Sequence, residues 1–408
     1  MSRRSVNGGC MRVRRGLVML LATAAVAGCS ATVAGVPEPG QSTVDLAILK
    51  TGPYGREPTT YDPDPSSTAD VRLMEARRTL EYLVHPADVD PDLTEVGDVR
   101  FFATPETPFT LGVLPDLMRP PLVDNNMLTG TYISRINNNL RSRKRLIAAI
   151  FRFPTDAAAA KAAEDFLRAG MENPESRALS VDGHPEVRSY TRDSVNGSAF
   201  YSRGPYTVLI NAGIPQPDPA ALTRILGAAI DRQAPLLDQL KPTDWDDVLD
   251  QPADVDGIMR RALPQSPDFT DPFTDTDFSV YPPAAELHFE RYPAQLKKAF
   301  EDNGVDLVGR RGGIVYRARD LPAAFRLQTA LMAAGRYDEV IDPPPGLPDA
   351  RCLRLDAETF ARAVDSFCTV VHGRYVAVVL AETPVAARID INLYQRAAAQ
   401  FAILANSE

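Results

Sequence analysis

Apolar and polar residues follow the same order twice along this chain. In the first block, the apolar run 146–153 predicts a buried strand, and the alanine-rich stretch from Asp156 to Gly170 predicts a helix capped by Asp156. The runs 186–191 and 206–212 predict two further strands, the second of them after a turn at Arg203-Gly204-Pro205. A second helix is predicted to begin at Asp218-Pro219, since Asp is a favoured N-cap and Pro a favoured first residue. Its apolar positions lie on one helical face: Leu222, Ile225, Leu226, Ala229 and Ile230.

The second block repeats this plan. Residues 314–316 predict a strand, and Asp320 predicts the cap of a helix that ends at Gly335. The apolar runs around Cys352 and Cys368 predict two strands. A terminal helix is predicted to begin at Thr383-Pro384. One face of it carries Ile389, Leu393, Ala397 and Phe401.

The spacing of matching features supports an internal repeat. The pattern Gly-x-Tyr occurs at Gly204 and again 169 residues later at Gly373, while Asp156 and Asp320 are 164 residues apart. A β-α-β-β-α unit that occurs twice predicts an α+β fold of two related ferredoxin-like modules with an N-terminal extension. Chance similarity of common elements is the alternative interpretation.

Charge and proline content divide the chain further. The 53 acidic residues outnumber the 44 basic ones, giving a net charge of −9, which argues against nucleic acid as a partner. Residues 243–283 are acidic and proline-rich and predict a solvated linker. The linker separates an N-terminal α+β domain, residues 45–242, from a C-terminal α+β domain, residues 284–408. Residues 45–130, which contain many prolines, are expected to wrap onto the first module.

The N-terminal residues predict a location outside the cytoplasm. Three arginines at 12, 14 and 15 precede an apolar stretch at 17–27, which is typical of a secretory signal peptide, residues 1–28. Met11 makes a better signal start than Met1. Small residues before Cys29 resemble a bacterial lipobox, so Cys29 is predicted to be acylated and to anchor the protein on the extracytoplasmic face of the cell membrane. The alternative is an ordinary signal peptide with a chance cysteine. Residues 29–44 are predicted to form a flexible tether.

Cys352 and Cys368 are the cysteines left in the exported chain once Cys29 is acylated, and they would lie in an oxidising compartment. Two neighbouring strands could bring them together, which predicts a disulfide. A metal or redox pair is the alternative, but it lacks the C-x-x-C spacing and a clustered histidine.

Catalytic and cofactor motifs are missing from the sequence. The four histidines are scattered, with His372 in a predicted hairpin turn, and there is no G-x-S-x-G, S-x-x-K or Walker sequence. The aspartates near residue 250 do not fit a calcium loop. The sequence therefore predicts no cofactor and no metal. Residues 135–145 hold five basic groups and no acid, and are interpreted either as an exposed loop or as a contact for anionic lipid head groups.

Several longer segments of the chain are distinctive: LTGTYISR at 128–135, FRFPTDAAAAKAA at 151–163, ELHFERYP at 286–293 and GVDLVGRRGGIVYRARD at 304–320. These segments resemble uncharacterised lipoproteins of mycobacteria and nocardiae. The resemblance implies an actinobacterial cell-envelope lipoprotein with a two-part α+β ectodomain. It transfers no catalytic or binding residue, because the group is a family of unknown function.

Together these features favour a non-catalytic, lipid-anchored envelope protein that binds a ligand or a partner. A lipid or a cell-wall component is the candidate ligand. An envelope hydrolase that uses dispersed carboxylates and a purely structural or sensing ectodomain are the alternatives.

Overall fold

The computed structural model describes residues 40–265, 272–276, 278–356, 366–381 and 390–407. The predicted signal peptide, Cys29 and most of the predicted tether lie outside these residues, as do Thr383, Pro384 and Ile389. In the described part, no helix is both long enough and apolar enough to cross a membrane.

The N-terminal module is a seven-stranded antiparallel sheet with helices on both faces. Its strands are β1 (Glu95–Phe102), β2 (Thr129–Ile136), β3 (Arg145–Arg152), β4 (Arg177–Leu179), β5 (Arg188–Thr191), β6 (Asn196–Arg203) and β7 (Tyr206–Gly213). Its helices are α1 (Thr68–Thr79), α2 (Pro86–Val89), α3 (Thr107–Thr110), α4 (Arg119–Val123), α5 (Asp156–Met171) and α6 (Pro219–Gln239). Trp245–Leu249 forms α7, a short helix that follows the module.

The C-terminal module is a second seven-stranded antiparallel sheet. Its strands are β8 (Ser279–Tyr281), β9 (Leu307–Arg310), β10 (Ile314–Arg317), β11 (Glu339–Ile341), β12 (Arg351–Arg354), β13 (Ser366–His372) and β14 (Tyr375–Leu380). Its helices are α8 (Pro283–Glu286), α9 (Pro293–Asn303), α10 (Leu321–Leu331) and α11 (Ile391–Ala405).

Both sheets have one topology. The spatial order is β1-β2-β3-β7-β6-β5-β4 in the first and β8-β9-β10-β14-β13-β12-β11 in the second, so each strand of one module has a counterpart in the other. The long helices also correspond, since α5 and α10 follow the third strand while α6 and α11 follow the seventh. The α+β class is confirmed. The ferredoxin-like arrangement is not confirmed, because each sheet has seven strands where that arrangement has four.

The difference from the predicted β-α-β-β-α unit arises from strands that the sequence pattern did not indicate. Three of them are eight residues long, namely β1, β2 and β6. In β6, which is rich in Gly, Ser and Asn, the apolar run is only three residues long, from Ala199 to Tyr201. The hairpin that follows it was predicted: Gly204 and Gly373 both adopt a φ of +54°, in two-residue turns between paired strands.

Helix caps confirm two of the predicted starts. The carboxylates of Asp218 and Asp320 accept hydrogen bonds from the backbone N–H groups of Ala221 and Ala323. The prediction for Asp156 was wrong by one residue, because Thr155 caps α5 through its hydroxyl. Similarly, α10 ends at Leu331 instead of Gly335, whose N–H bonds to Asp338 in a turn.

Segments exchanged between the two halves join the modules. Val44, Leu46, Leu49 and Tyr54 pack on the core of the C-terminal module, which corrects the expectation that residues 45–130 wrap wholly onto the first. The end of the predicted tether is also held, since Ser42 donates from its N–H and hydroxyl groups to Asp349. In the other direction, a set of later apolar residues completes the N-terminal core: Phe273, Tyr281, Ala285 and Phe289.

Part of the predicted acidic linker is packed. Met259, Ala262 and Leu263 are buried in the core of the C-terminal module, and β8 pairs with β9 at the edge of its sheet. A fully buried glutamine fastens the segment, because Gln400 on α11 accepts from the Leu263 N–H at 2.7 Å and donates to the Arg261 carbonyl at 2.7 Å. Gln233 on α6 bonds in the same way to Val84 and Tyr82 in the N-terminal module.

The predicted disulfide joins Cys352 and Cys368, which face each other on β12 and β13. Both residues are fully buried between the sheet and α11. The bond occupies both sulfurs, so neither is a thiolate that could bind a metal ion.

Candidate functional site

A groove of about 370 Å³ opens on the α5 face of the N-terminal sheet. This N-terminal groove is bounded by the loop 113–118, by the C-terminal end of α5 and by the strands β3, β5, β6 and β7. Its volume lies within the range of small-molecule binding sites. The apolar wall consists of Val113, Leu114, Pro115, Leu117 and Met118.

Polar side chains form the floor of the groove. Tyr190, Ser198 and Asn211 stand side by side on β5, β6 and β7, because each is the direct cross-strand partner of the next. The Asn211 amide donates to the Ser198 hydroxyl at 2.9 Å and accepts from the Arg145 guanidinium at 3.1 Å. These bonds hold the floor in one arrangement before any ligand arrives.

Two guanidinium groups give the groove a positive potential. Arg145 and Arg192 are exposed, and neither has a carboxylate within ion-pair distance in the part of the chain that the structure describes. Asp193 also lines the groove, but its carboxylate accepts the N–H groups of Val195 and Asn196 at 2.9 and 2.7 Å. Burial acts to raise the pKa of Asp193, yet the hydrogen bonds from Asn196 and Val195 outweigh it and hold that pKa below its usual value. Anions are therefore favoured in the groove.

In the C-terminal module, apolar side chains occupy the place that corresponds to this groove. The positions that match Tyr190, Ser198 and Asn211 carry Leu353, Phe367 and Leu380, which face each other on β12, β13 and β14 in the same register. The space left between Leu353, Phe367 and α9 is about 30 Å³, less than a tenth of the volume of the N-terminal groove. One topology has thus kept an open polar groove in one module and an apolar core in the other.

Long-range folding brings two of the scattered histidines together. His85 and His288 stack with their ring centroids 5.0 Å apart at the contact between the modules. Arg135 lies beside them and donates to the carbonyls of Leu287, His288 and Glu290. Burial, with Arg135 nearby, lowers the pKa of His288 to about 3, and burial likewise lowers the pKa of His85. Both rings are neutral at pH 7 and bind the modules together.

The structure separates the basic residues predicted to act as one run. Arg135 is only 1% exposed and serves the contact between modules, whereas Arg141 and Arg143 are exposed in the loop between β2 and β3. His372 lies at the predicted hairpin but is half-buried, with its ring against Phe401 and its Nδ1 2.7 Å from the Gln41 amide.

Sequence reasoning missed most of the groove. Of its polar residues, only Arg145 belongs to a motif that the sequence indicates, the basic run 135–145. Asn211 offered a signal, because it interrupts the otherwise apolar strand YTVLINA. Ser198 offered none, since it lies on the strand that the apolar pattern did not reveal.

Within the described ranges, no cluster of three or more His, Cys, Asp or Glu side chains could hold a metal ion. Asp193 is the carboxylate of the described groove lining, which contains no histidine. The arrangement offers hydrogen-bond donors, two cations and an apolar wall, and it suits binding.

The chain belongs to the family DUF7373, a family of unknown function. Residues 62–253 match its N-terminal domain and residues 258–407 match its C-terminal domain. No curated protein matches the chain.

Among solved structures, the chain has a distant similarity to the extracellular domain of PknH from Mycobacterium tuberculosis. The identity is 14% and the TM-score 0.27, over 40% of this chain and 97% of that domain.

Proposed function

We propose that this protein is a non-catalytic ectodomain that binds a small anionic ligand with an apolar part in the N-terminal groove. The observation that supports this most is the contrast between the modules. Phe367 and Leu380 close the site in the C-terminal module, whereas Ser198 and Asn211 keep it open in the other. A purely structural protein would have no need of an open, polar floor in one module.

The lining indicates the chemical class of the ligand. Arg145 and Arg192 suit a phosphate or carboxylate, since a guanidinium donates two parallel hydrogen bonds to either group. The wall around Leu117 suits an acyl chain or another apolar group, because covering it removes apolar surface from water. Leu117 itself is 45% exposed. An acidic lipid or an acylated cell-wall component combines both properties.

The proposed location is the extracytoplasmic face of the membrane, with acyl chains on Cys29 as the anchor. The buried Cys352–Cys368 disulfide supports this location, because such bonds persist in oxidising compartments. The signal-like segment before Cys29 is the second support.

Native mass spectrometry of the protein purified from a mycobacterial envelope tests both parts. We expect a bound anionic amphiphile at one copy per chain, on a polypeptide that begins with acylated Cys29. The variant Ser198→Phe with Asn211→Leu copies the C-terminal module into the groove and should lose the ligand. Ser202→Phe, a matched change on the same strand outside the groove lining, should retain it.

Two results would contradict the proposal. Equal ligand occupancy in the groove variant and in the Ser202→Phe control would place the ligand elsewhere. A hydrolytic activity that disappears with a single carboxylate would identify the protein as an enzyme instead.

A further inference from the structure

The loop between β2 and β3, residues 137–144, holds an apolar side chain out in water. Leu140 at its tip is 89% exposed, the most exposed of the large apolar side chains that the structure describes. Side-chain hydrogen bonds shape the loop: Asn137 donates to the Ser142 carbonyl at 2.7 Å and accepts from the Lys144 N–H at 2.8 Å. Asn139 accepts from the N–H groups of Arg141 and Ser142. The exposure of Leu140 therefore follows from a built turn.

Cations surround this apolar tip. Arg141 and Arg143 are exposed and make no ion pair with any carboxylate of the described residues, and Arg145 follows on β3. Lys144 differs, because its ammonium group contacts Asp90 at 2.9 Å and Asp92 at 2.7 Å. On a chain with a net charge of −9, the loop is thus a local positive patch with an apolar centre.

We propose that this hairpin docks on a membrane surface rich in anionic phospholipid. Arginines attract the head groups, and a single exposed leucine between them can enter the region where head groups meet acyl chains. An acidic protein or polymer would pair with the arginines but would leave Leu140 in water. The combination therefore favours a lipid surface.

The hairpin also lies next to the N-terminal groove. A second cavity, of about 570 Å³, runs between the loop and residues 195–215 and shares Arg145 and Asn196 with the groove. Docking through Leu140 would bring the mouth of the groove to the lipid surface. The docking surface extends beyond the proposed function and stands without it, because Leu140, Arg141 and Arg143 do not line the groove.

Vesicle flotation tests the proposal with a chain that begins at Pro39 and so carries no acylation site. Residues 39–408 form one compact unit with its own cores. We expect binding to vesicles of phosphatidylcholine mixed with phosphatidylglycerol and little binding to phosphatidylcholine alone. Arg141→Glu with Arg143→Glu should lower partitioning at least about tenfold. Leu140→Ala should lower it several-fold while the charge stays the same.

The matched control is Arg224→Glu with Arg232→Glu, which makes the same charge change on two exposed residues of α6. It should partition within about twofold of the parent chain. Equal losses in both double variants would show that net charge alone governs binding and would overturn the proposal, as would equal binding to the two vesicle types. Because the residues substituted in the hairpin and on α6 are exposed, these variants should melt at the temperature of the parent chain. Loss of binding in Ser198→Phe with Asn211→Leu would indicate the groove and not the hairpin.

Discussion

At the scale of single residues, one buried glutamine in each module holds a backbone segment against the core. Gln233 and Gln400 are fully buried, and each satisfies one backbone N–H and one backbone carbonyl of a short helical turn. A buried backbone group without a partner is costly, so these two side chains should contribute to the stability of the fold.

Replacing Gln233 with Met, a change of similar volume, should lower the free energy of unfolding by about 2–4 kcal/mol. The physical reason is that the Val84 N–H and the Tyr82 carbonyl lose their partner inside the core. Urea denaturation measures the effect. Gln239→Met is the control on the same helix, where the side chain is exposed, and it should change stability little. Equal stability of the two variants would show that these buried bonds contribute nothing.

At the scale of elements, the disulfide between β12 and β13 has no counterpart in the N-terminal module. The matching positions on β5 and β6 are Ser189 and Ala199, which also face each other. The bond therefore stabilises one module selectively. The sequence predicted it from the two cysteines and their apolar runs, because adjacent strands bring facing residues within bonding distance.

Changing both Cys352 and Cys368 to Ala should lower the free energy of unfolding by about 3 kcal/mol, since the bond closes a loop with a sequence separation of 16. Denaturation in oxidising and reducing buffer measures this. Reductant should destabilise the parent chain and leave the double variant unaffected. An identical unfolding midpoint for the oxidised parent and the variant would contradict the prediction.

At the scale of the whole molecule, exchanged segments and the His85–His288 contact make the two modules one folding unit. Arg135 donates across this contact, and Lys297 forms an ion pair with Asp88 at 3.0 Å. A chain cut between the modules would expose apolar surface on both sides, including Leu49 and Phe289.

This contact predicts acid sensitivity. The pKa of His288 is about 3 in the folded chain and about 6.5 when unfolded, so between these values the unfolded chain binds the extra proton. The free energy of unfolding therefore falls as the pH drops below about 6.5, because protonation of His288 stabilises the unfolded chain and not the folded one. Protonation of His288 alone should lower the free energy of unfolding by about 2 kcal/mol between pH 6.5 and pH 5.

Denaturation midpoints at pH 7, 6 and 5 test this, and His288→Asn should flatten the dependence. His184→Asn is the control, because His184 lies beside Asp231 at the surface of α6 and touches neither histidine of the contact. A steep dependence that persists in His288→Asn would assign it to other groups.

The sequence alone determined the features that depend on neighbouring residues or on a local period. The caps at Asp218 and Asp320, the turns at Gly204 and Gly373, the apolar face of α6 and the doubled plan all follow from local rules. The disulfide followed as well, since two cysteines on neighbouring apolar strands have few alternatives.

Tertiary structure decided the rest, because cross-strand register and long-range packing have no local signature. The groove needs Tyr190, Ser198 and Asn211 in one row across three strands, and the apolar run of β6 is only three residues long, too short to indicate a strand. His85 and His288 are far apart in the chain and meet only through the packing of the modules. A polar residue becomes part of a site only when the fold places the other site residues beside it. Which residues meet depends on how the whole chain buries its apolar surface.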